Sequence, residues 1–369
     1  MKFTKIVFFL FMTGFSLGIS LLAAKVYSIA FYFSEYGSDA LYSVAIALPS
    51  IFIISMFFGL LDDDHYFRKL LYPINLFAGM MLYVFLSAVV LSIVILIAVG
   101  ISITLPTSIA IVSFSTACLL GIIGAVQAKQ IKTVSYAVNL PGAPESWNNK
   151  KAVLVSDTHF GLINHKRFSD KIVKNILKLN PDLVFHAGDF YDGPKNKMSS
   201  LTESWKELTK EVPVFFAPGN HEMYGDYEAF LSSIRDAGIE VLTDSFIEHE
   251  GVQIAGITYR GRNQPKEAQE AILSLGVEKQ KPLILINHPP LFHDSAIDIA
   301  TDLMVSGHTH NGQLWPVNYV SDVMYKRYSY GLHKKQNMTA ITTSGVGTTG
   351  PPLRLFNTPE LVVITFTTN

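Results

Sequence analysis

The chain has 369 residues, 49% of them apolar, with a mean hydropathy of +0.30 and a formal charge of −1. Near-neutrality without a basic stripe excludes nucleic acid as the expected partner. The single cysteine, Cys118, excludes an intrachain disulfide and a thiolate metal site.

The charge is unevenly spread. Residues 1–140 hold seven Lys or Arg and five Asp or Glu, against 22 and 25 in residues 141–369, where ten of the eleven histidines also fall. The first part reads as lipid-embedded and the second as a charged domain. Four stretches are apolar enough to cross a bilayer as helices: about Ile6–Ala30, Ala40–Leu61, 74–99 and 107–127. The uncharged run from Leu70 to Ala128 has 59 residues. As one helix it would reach about 88 Å at 1.5 Å per residue, so it is divided near Gly100–Pro106. Lys2, Lys5, Arg68, Lys69, Lys129 and Lys132 share one side of a four-span arrangement. That bias predicts a multi-pass cell-membrane protein with the domain that follows in the cytoplasm.

Residues 129–149, rich in Pro, Gly and Asn, read as a linker or an edge segment. They divide a transmembrane region, 1–128, from a domain over 150–369. From Lys151 short apolar runs alternate with amphipathic stretches, as in an α/β fold. Strands are expected at 152–156, 183–187, 212–217, 252–257, 283–286, 303–305, 339–343 and 361–366. Helices are expected at 167–179, 199–210, 227–237 and 265–274, and a hairpin around Glu250-Gly251.

Five apolar runs end abruptly in polar sets of metal-ligand type: Asp157-Thr158-His159, Gly188-Asp189, Gly219-Asn220-His221-Glu222, Asn287-His288 and Gly307-His308-Thr309-His310. In α/β sheets the carboxyl ends of parallel strands share one edge, where ligands bind. Two Asp, one Asn and several His gathered there fit a pair of divalent cations joined by a bridging carboxylate. With nitrogen and oxygen donors alone, the expected ions are Mn, Zn, Fe or a mixture. Singly, each set could be a helix cap, a turn or loop polarity; the recurrence after five strands is what favours metal chemistry. His186, inside a strand, reads as a core group. His165, His249 and His333 read as surface groups, and His293 as surface or pocket-lining.

In order, spacing and strand context these five blocks resemble the calcineurin-like metallophosphoesterase superfamily, over about residues 150–369. The last block, continued as Asn311-Gly312-Gln313, is similar to the bacterial membrane-associated branch, except that Asn311 stands where glycine is usual. The resemblance implies a four-layer α/β/β/α sandwich. It implies Asp157, His159 and His310 on a first metal, Asp189 bridging, and Asn220, His288 and His308 on a second. His221 would assist the reaction without holding a metal. It also implies hydrolysis of a phosphodiester or pyrophosphate bond, in a lipid headgroup or lipid-linked precursor, by hydroxide activated between the metals. Arg260, Arg262 and Arg354 are the phosphate-binding candidates, and Arg354 is preferred because it follows the glycine-rich run Ser344–Gly350. No obligate protein partner is inferred. Two competing readings are a non-catalytic metal-dependent scaffold and a transporter with an attached regulatory domain. Against the transporter, the spans carry no Asp, Glu or His.

Overall fold

The computed structural model describes residues 2–59, 65–161, 163–192 and 198–368. Asp62, Asp63 and Asp64, and the side chains of Lys2, Lys5, Arg68 and Lys69 that enter the orientation argument, lie outside the described residues. The chain divides into two units: residues 1–126 with Gly350–Leu355, and residues 127–349 with 356–369.

The first unit is helical: α1 (Lys2–Ala30), α2 (Glu35–Gly59), α3 (His65–Gly100) and α4 (Thr107–Gln127). Within it, Tyr72–Gly100 and Thr107–Gln127 are long and apolar enough to cross a membrane, and Ser16–Ala30 is a shorter apolar helix. The division of the long apolar run falls where expected, with α3 ending at Gly100 and α4 starting after Pro106. Ala23, Ala88, Ala110 and Ala117 are buried in the core of this unit, and small residues let helices approach closely. Leu96 and Val99 are each 70% exposed. A hydrocarbon phase would cover such a face at no cost, whereas water would not.

The second unit is an α/β domain. Its first sheet has the order β1 (Lys132–Asn139), β14 (Glu360–Thr367), β2 (Lys151–Val155), β4 (Leu183–His186), β6 (Val214–Phe216) and β7 (Glu240–Val241). The last four run parallel. The second sheet has the order β12 (Gly331–Lys335), β13 (Met338–Thr342), β11 (Leu303–Ser306), β10 (Leu283–Asn287), β9 (Val252–Ile257) and β8 (Ser245–His249). Strands β13, β11, β10 and β9 are parallel, and β8 closes the expected hairpin on β9 through Glu250-Gly251. A two-residue pair, β3 (Phe160–Gly161) with β5 (Tyr191–Asp192), completes the strands.

One core joins the two sheets: Leu154, Phe185 and Ile364 from the first meet Ile254, Ile284, Val305 and Ile341 from the second. The opposite face of the first sheet, through Val153, Val184 and Phe216, is covered by α5 (Lys166–Lys178), α6 (Met198–Glu211) and α8 (Tyr227–Arg235). The opposite face of the second, through Ala255, Leu285 and Met304, is covered by α9 (Pro265–Leu273) and α10 (His293–Asp298). Buried strands with both faces covered read as continuous apolar runs, which is why β2, β4, β10 and β11 are so plain in the sequence. Two more helices, α7 (Asn220–Tyr224) and α11 (Val317–Tyr325), lie outside these clusters.

Within the stretch read as a linker or an edge segment, both descriptions apply to different residues. Residues 132–139 are hydrogen-bonded along β14 as a parallel edge strand, and Trp147 is fully buried in the inter-sheet core with its indole N–H donated to the Glu250 carbonyl. The Pro, Gly and Asn cluster lies after this strand, at 139–144, so only residues 128–131 separate α4 from the sheet.

Candidate metal centre

Strands β2, β4 and β6 are parallel neighbours in one sheet, and β10 and β11 in the other. Their carboxyl ends open into five short loops, and each loop carries one expected block. Three groups of potential ligands result, each with donor atoms within 4.8 Å of one another: Asp157, His159 and His310; His159, Asp189 and His221; and Asp189, His288 and His308. His159 and Asp189 each belong to two of them, and of the pair Asp189 is the carboxylate, the group able to bridge.

The individual distances fit a first-row ion. His159 Nε2 and His310 Nε2 are 3.0 Å apart, His310 Nε2 is 3.3 Å from Asp157 Oδ1, and His288 Nε2 is 3.0 Å from Asp189 Oδ2. His308 Nδ1 lies 3.2 Å from His288 Nε2. Ligand bonds of about 2.0–2.1 Å put neighbouring ligand atoms roughly 2.9–3.4 Å apart. Asn220 Oδ1 and His159 Nδ1 are buried with no hydrogen-bond partner, and a buried acceptor without one is costly. For Asn220, an ion would remove that cost. The residues present therefore fit a divalent metal.

The loops hold their ligands in a conformation that strands and helices do not use. Asp157, His159, Asp189, His308 and His310 all have positive φ, between 45° and 71°. For a residue with a Cβ the left-handed region costs about 1–2 kcal/mol, and such strain persists where surrounding contacts over-determine it. Those contacts are explicit. The Asp157 and His159 peptide N–H groups donate to the Gly188 and Asp189 carbonyls, and His308 N–H donates to the Asp157 carboxylate. Gly307 shows the tightness: a Cβ there would lie 1.9 Å from Ser156 Oγ and 2.4 Å from Asp157 Oδ2. Asn311 adopts φ 47°, ψ 38°. Asparagine is among the few residues that tolerate this region, so the loop survives the replacement of the usual glycine.

Second contacts fix orientation. His288 Nδ1 lies 2.6 Å from the Ala187 carbonyl. A carbonyl only accepts, so Nδ1 carries the proton and Nε2 is left to face Asp189. Ser156 donates to Asp157 Oδ2 at 2.6 Å. His221 Nδ1 is 3.3 Å from Asp192 Oδ1, and its peptide N–H donates to Asp189 Oδ1 at 2.8 Å. Glu222 is buried and accepts four peptide N–H groups: Oε2 from Asp189 and Gly219, Oε1 from Phe190 and Tyr191. Burial and the Asp189 charge push the Glu222 carboxyl up to about 7, against donors that favour its ionised form. Burial would raise Asp189 as well, but the charge and hydrogen bond of His288 hold it well below the usual carboxylate range. Burial opposes a charge on His288, and Asp189 overrides it, raising the imidazole to about 9. Burial and the nearby His288 lower His308 to about 3.

Asp157, His159, Asp189, His221, His288, His308 and His310 are thus brought together, and Asn220 sits between Gly219 and His221 with its oxygen orphaned. Arg354 is placed otherwise than a rim contact. It is fully buried in the segment grouped with the helical unit, and its peptide N–H donates to the Gly124 carbonyl. Arg260 is committed to a two-pronged ion pair with Asp244, at 2.7 and 2.8 Å. Arg262 is the cation near the site: its guanidinium lies 4.8 Å from the Tyr325 ring centre, and that ring lies 5.8 Å from His308. Sequence reasoning ranked Arg262 below Arg354, and it did not single out Asp192 or the role of Glu222. Asp192 and Glu222 stand three residues after Asp189 and Gly219, a spacing that could have drawn attention. Arg262 has no local signal. His186 is a core residue among Phe190, Trp205 and Phe216. His165 caps α5, its Nδ1 accepting from the Arg167 N–H, and His293 is buried against Tyr328.

Residues 150–312 match the family model described as calcineurin-like phosphoesterase. The chain is 29% identical over 273 residues to a transmembrane protein with metallophosphoesterase domain of Danio rerio, covering 70% of this chain and 62% of that protein. It is 30% identical over 218 residues to an uncharacterized metallophosphoesterase of Helicobacter pylori, covering 58% and 59%. It is 28% identical over 259 residues to an uncharacterized metallophosphoesterase of Aquifex aeolicus, covering 68% and 97%. The chain spans about three fifths of the length of the first two. Residues 150–312 are thus similar to a calcineurin-like phosphoesterase domain, they gather clustered His and Asp side chains that could hold metal ions, and apolar helices long enough to cross a membrane precede them in the chain.

Proposed function

We propose that this protein is a multi-pass membrane enzyme that binds two divalent cations and hydrolyses a phosphodiester or pyrophosphate bond in a lipid headgroup or lipid-linked precursor. The observation that carries the two-metal reading is the chain of three ligand groups, the first joined to the second through His159 and the second to the third through the carboxylate of Asp189. In this reading Asp157, His159 and His310 hold one ion, Asn220, His288 and His308 the other, and Asp189 bridges. The four-layer α/β/β/α architecture belongs to the same reading, supported by the inter-sheet core and the helix-covered outer faces. Bound cations supply Lewis acidity and a water acidic enough to attack phosphorus near neutral pH. The chain's own residues do the rest. Asp192 holds the Nδ1 side of His221, which leaves Nε2 to meet a phosphoryl oxygen or the leaving group. Tyr224, Tyr259 and Tyr325 set aromatic rings 5.5–5.8 Å from His221 and His308. They narrow the approach and limit water. Arg262 stands behind Tyr325 as the phosphate contact we favour. The substrate role given to Arg354 is the weaker one, because a fully buried arginine has no face left for a ligand.

Lipid as the substrate class is supported by confinement: a tether of residues 128–131 extends at most about 14 Å, taking 3.3–3.6 Å per residue. The domain is cytoplasmic in this reading, from the cation bias of the sequence. One experiment tests the function. The full chain and an Asp189→Asn control are incubated with Mn and either total membrane lipid or a pool of soluble metabolites, and the species consumed are identified. A lipid diester or pyrophosphate should vanish only with the parent. Consumption confined to soluble nucleotides would overturn the lipid assignment, and no consumption of any ester with two metals bound would favour the scaffold.

A further inference from the structure

Helix α11 is inverted. Its residues Val317, Tyr319, Val320, Val323 and Met324 are 40%, 61%, 56%, 81% and 43% exposed, while Ser321 is buried. At 100° per residue the five exposed apolar side chains fall on one arc of about 160°, and Ser321 and Asn318 lie on the other side. The inward Ser321 Oγ and Asn318 Oδ1 have no hydrogen-bond partner. A helix in contact with water on its outer face shows the reverse pattern. The patch extends beyond the helix, because Trp315 stacks edge-on against Phe356, itself 66% exposed, at 5.9 Å. Apolar surface is otherwise scarce on this unit: among its described residues only Leu177, Met223, Tyr224 and Leu273 are other large exposed hydrophobics. A contiguous patch of this kind marks an interaction surface.

The geometry points to α11 as a membrane-surface element, whose outward face, with Trp315 and Phe356, enters the headgroup region of an anionic phospholipid bilayer. Three features select lipid over another occupant. Tryptophan and tyrosine among aliphatic side chains suit the interface, where one end of each ring is apolar and the other wet. Exposed cations, Lys326 and Arg327, directly follow the helix and complement anionic headgroups. The membrane is already at hand, since α3 and α4 contain spans and only residues 128–131 lead from α4 to β1. The consequence for the site is direct. Tyr325, the last residue of α11, has its ring 5.8 Å from His308, so seating α11 in the interface sets the ligand cleft beside the headgroups. This deepens the lipid-directed reading above, but the docking itself can be tested without activity.

Of the three tryptophans, Trp147 and Trp205 are fully buried and Trp315 is 37% exposed. The full chain, reconstituted in vesicles of acyl-chain-brominated phosphatidylcholine mixed with phosphatidylglycerol, should lose a component of its emission relative to unbrominated vesicles. That component should be absent in Trp315→Phe and abolished when Val320→Asp and Val323→Asp are combined. Equal quenching of the parent and Trp315→Phe would overturn the proposal. So would efficient disulfide dimers of Val323→Cys in a Cys118→Ala background, which would assign the face to a second copy of the chain. In the activity arm, the double aspartate variant should act on a lipid-borne diester roughly a hundredfold more slowly, the scale of withdrawing two valines from an apolar phase, with hydrolysis of bis-nitrophenyl phosphate unchanged. Trp315-specific quenching with undiminished lipid hydrolysis would uphold the docking and overturn only its link to substrate.

Discussion

Glu222→Gln should cost this protein both stability and metal, although Glu222 is not itself a proposed ligand. Its two oxygens accept two peptide N–H groups each, at 2.8–3.1 Å, from Gly219, Asp189, Phe190 and Tyr191. The amide of glutamine replaces one oxygen by an NH2 group. In either rotamer two buried N–H donors then face a donor. Each unsatisfied buried group costs about 1–3 kcal/mol, so the variant should lose roughly 2–6 kcal/mol. Total stabilities are about 5–15 kcal/mol, which makes this a large fraction. For a domain of this size 1 kcal/mol moves the melting temperature by about 2–4 °C, so a fall of roughly 5–20 °C is expected for the second unit. With the NH2 on the Oε2 side the freed donors are those of Asp189 and Gly219, the latter adjoining Asn220, and with it on the Oε1 side they are those of Phe190 and Tyr191, which directly follow Asp189. Loss of such support typically weakens metal binding about 10–100-fold. Differential scanning fluorimetry of the full chain in detergent, paired with elemental analysis after dialysis, reads both quantities. A melting temperature within about 2 °C of the parent, together with unchanged metal content, would refute the assignment of Glu222 as the clamp of these two loops.

Asp189→Asn should abolish turnover with the domain still folded, because it removes the charge that compensates two cations; activity within about tenfold of the parent would sink the bridging role. His221→Ala should keep the parent's metal content and slow the chemical step, and a metal loss equal to that of Asp189→Asn would show it to be a ligand, as its place beside His159 and Asp189 also allows. Gly307→Ala should destabilise the domain by about 1–3 kcal/mol, the scale of overpacked cores, since its Cβ would overlap Ser156 Oγ and Asp157 Oδ2; a melting curve like the parent's would mean that the β2 and β11 loops yield. Protease added outside intact cells should leave residues 133–369 uncut if the domain is cytoplasmic, and cleavage there would mean the opposite orientation.

The sequence by itself determined the α/β class, the division of the apolar run at 100–106, and the blocks that become the site. These are local or repetitive signals. A strand covered on both faces must be apolar throughout, and the abrupt switch to Asp, Asn or His marks its carboxyl end whatever the remainder of the chain does. For strand β1 the sequence left linker and edge segment open, because an edge strand with an alternating, half-exposed pattern looks like an extended linker; only its pairing with β14, more than two hundred residues away, makes it a strand. The choice among the candidate arginines turns on a related point. Arg354 has a suggestive neighbourhood in sequence, but burial decides whether a guanidinium can face a ligand, and burial is set by packing. Arg262 is linked to the site through Tyr325, whose ring packs near both its guanidinium and His308, a contact between segments distant in sequence. Likewise the residue types in α11 reveal no inversion until the fold fixes which side of the helix is covered. The residue types of the five blocks are local chemistry and were legible; orientation, second contacts and exposed faces depend on which distant segments meet, and only the tertiary structure decided them.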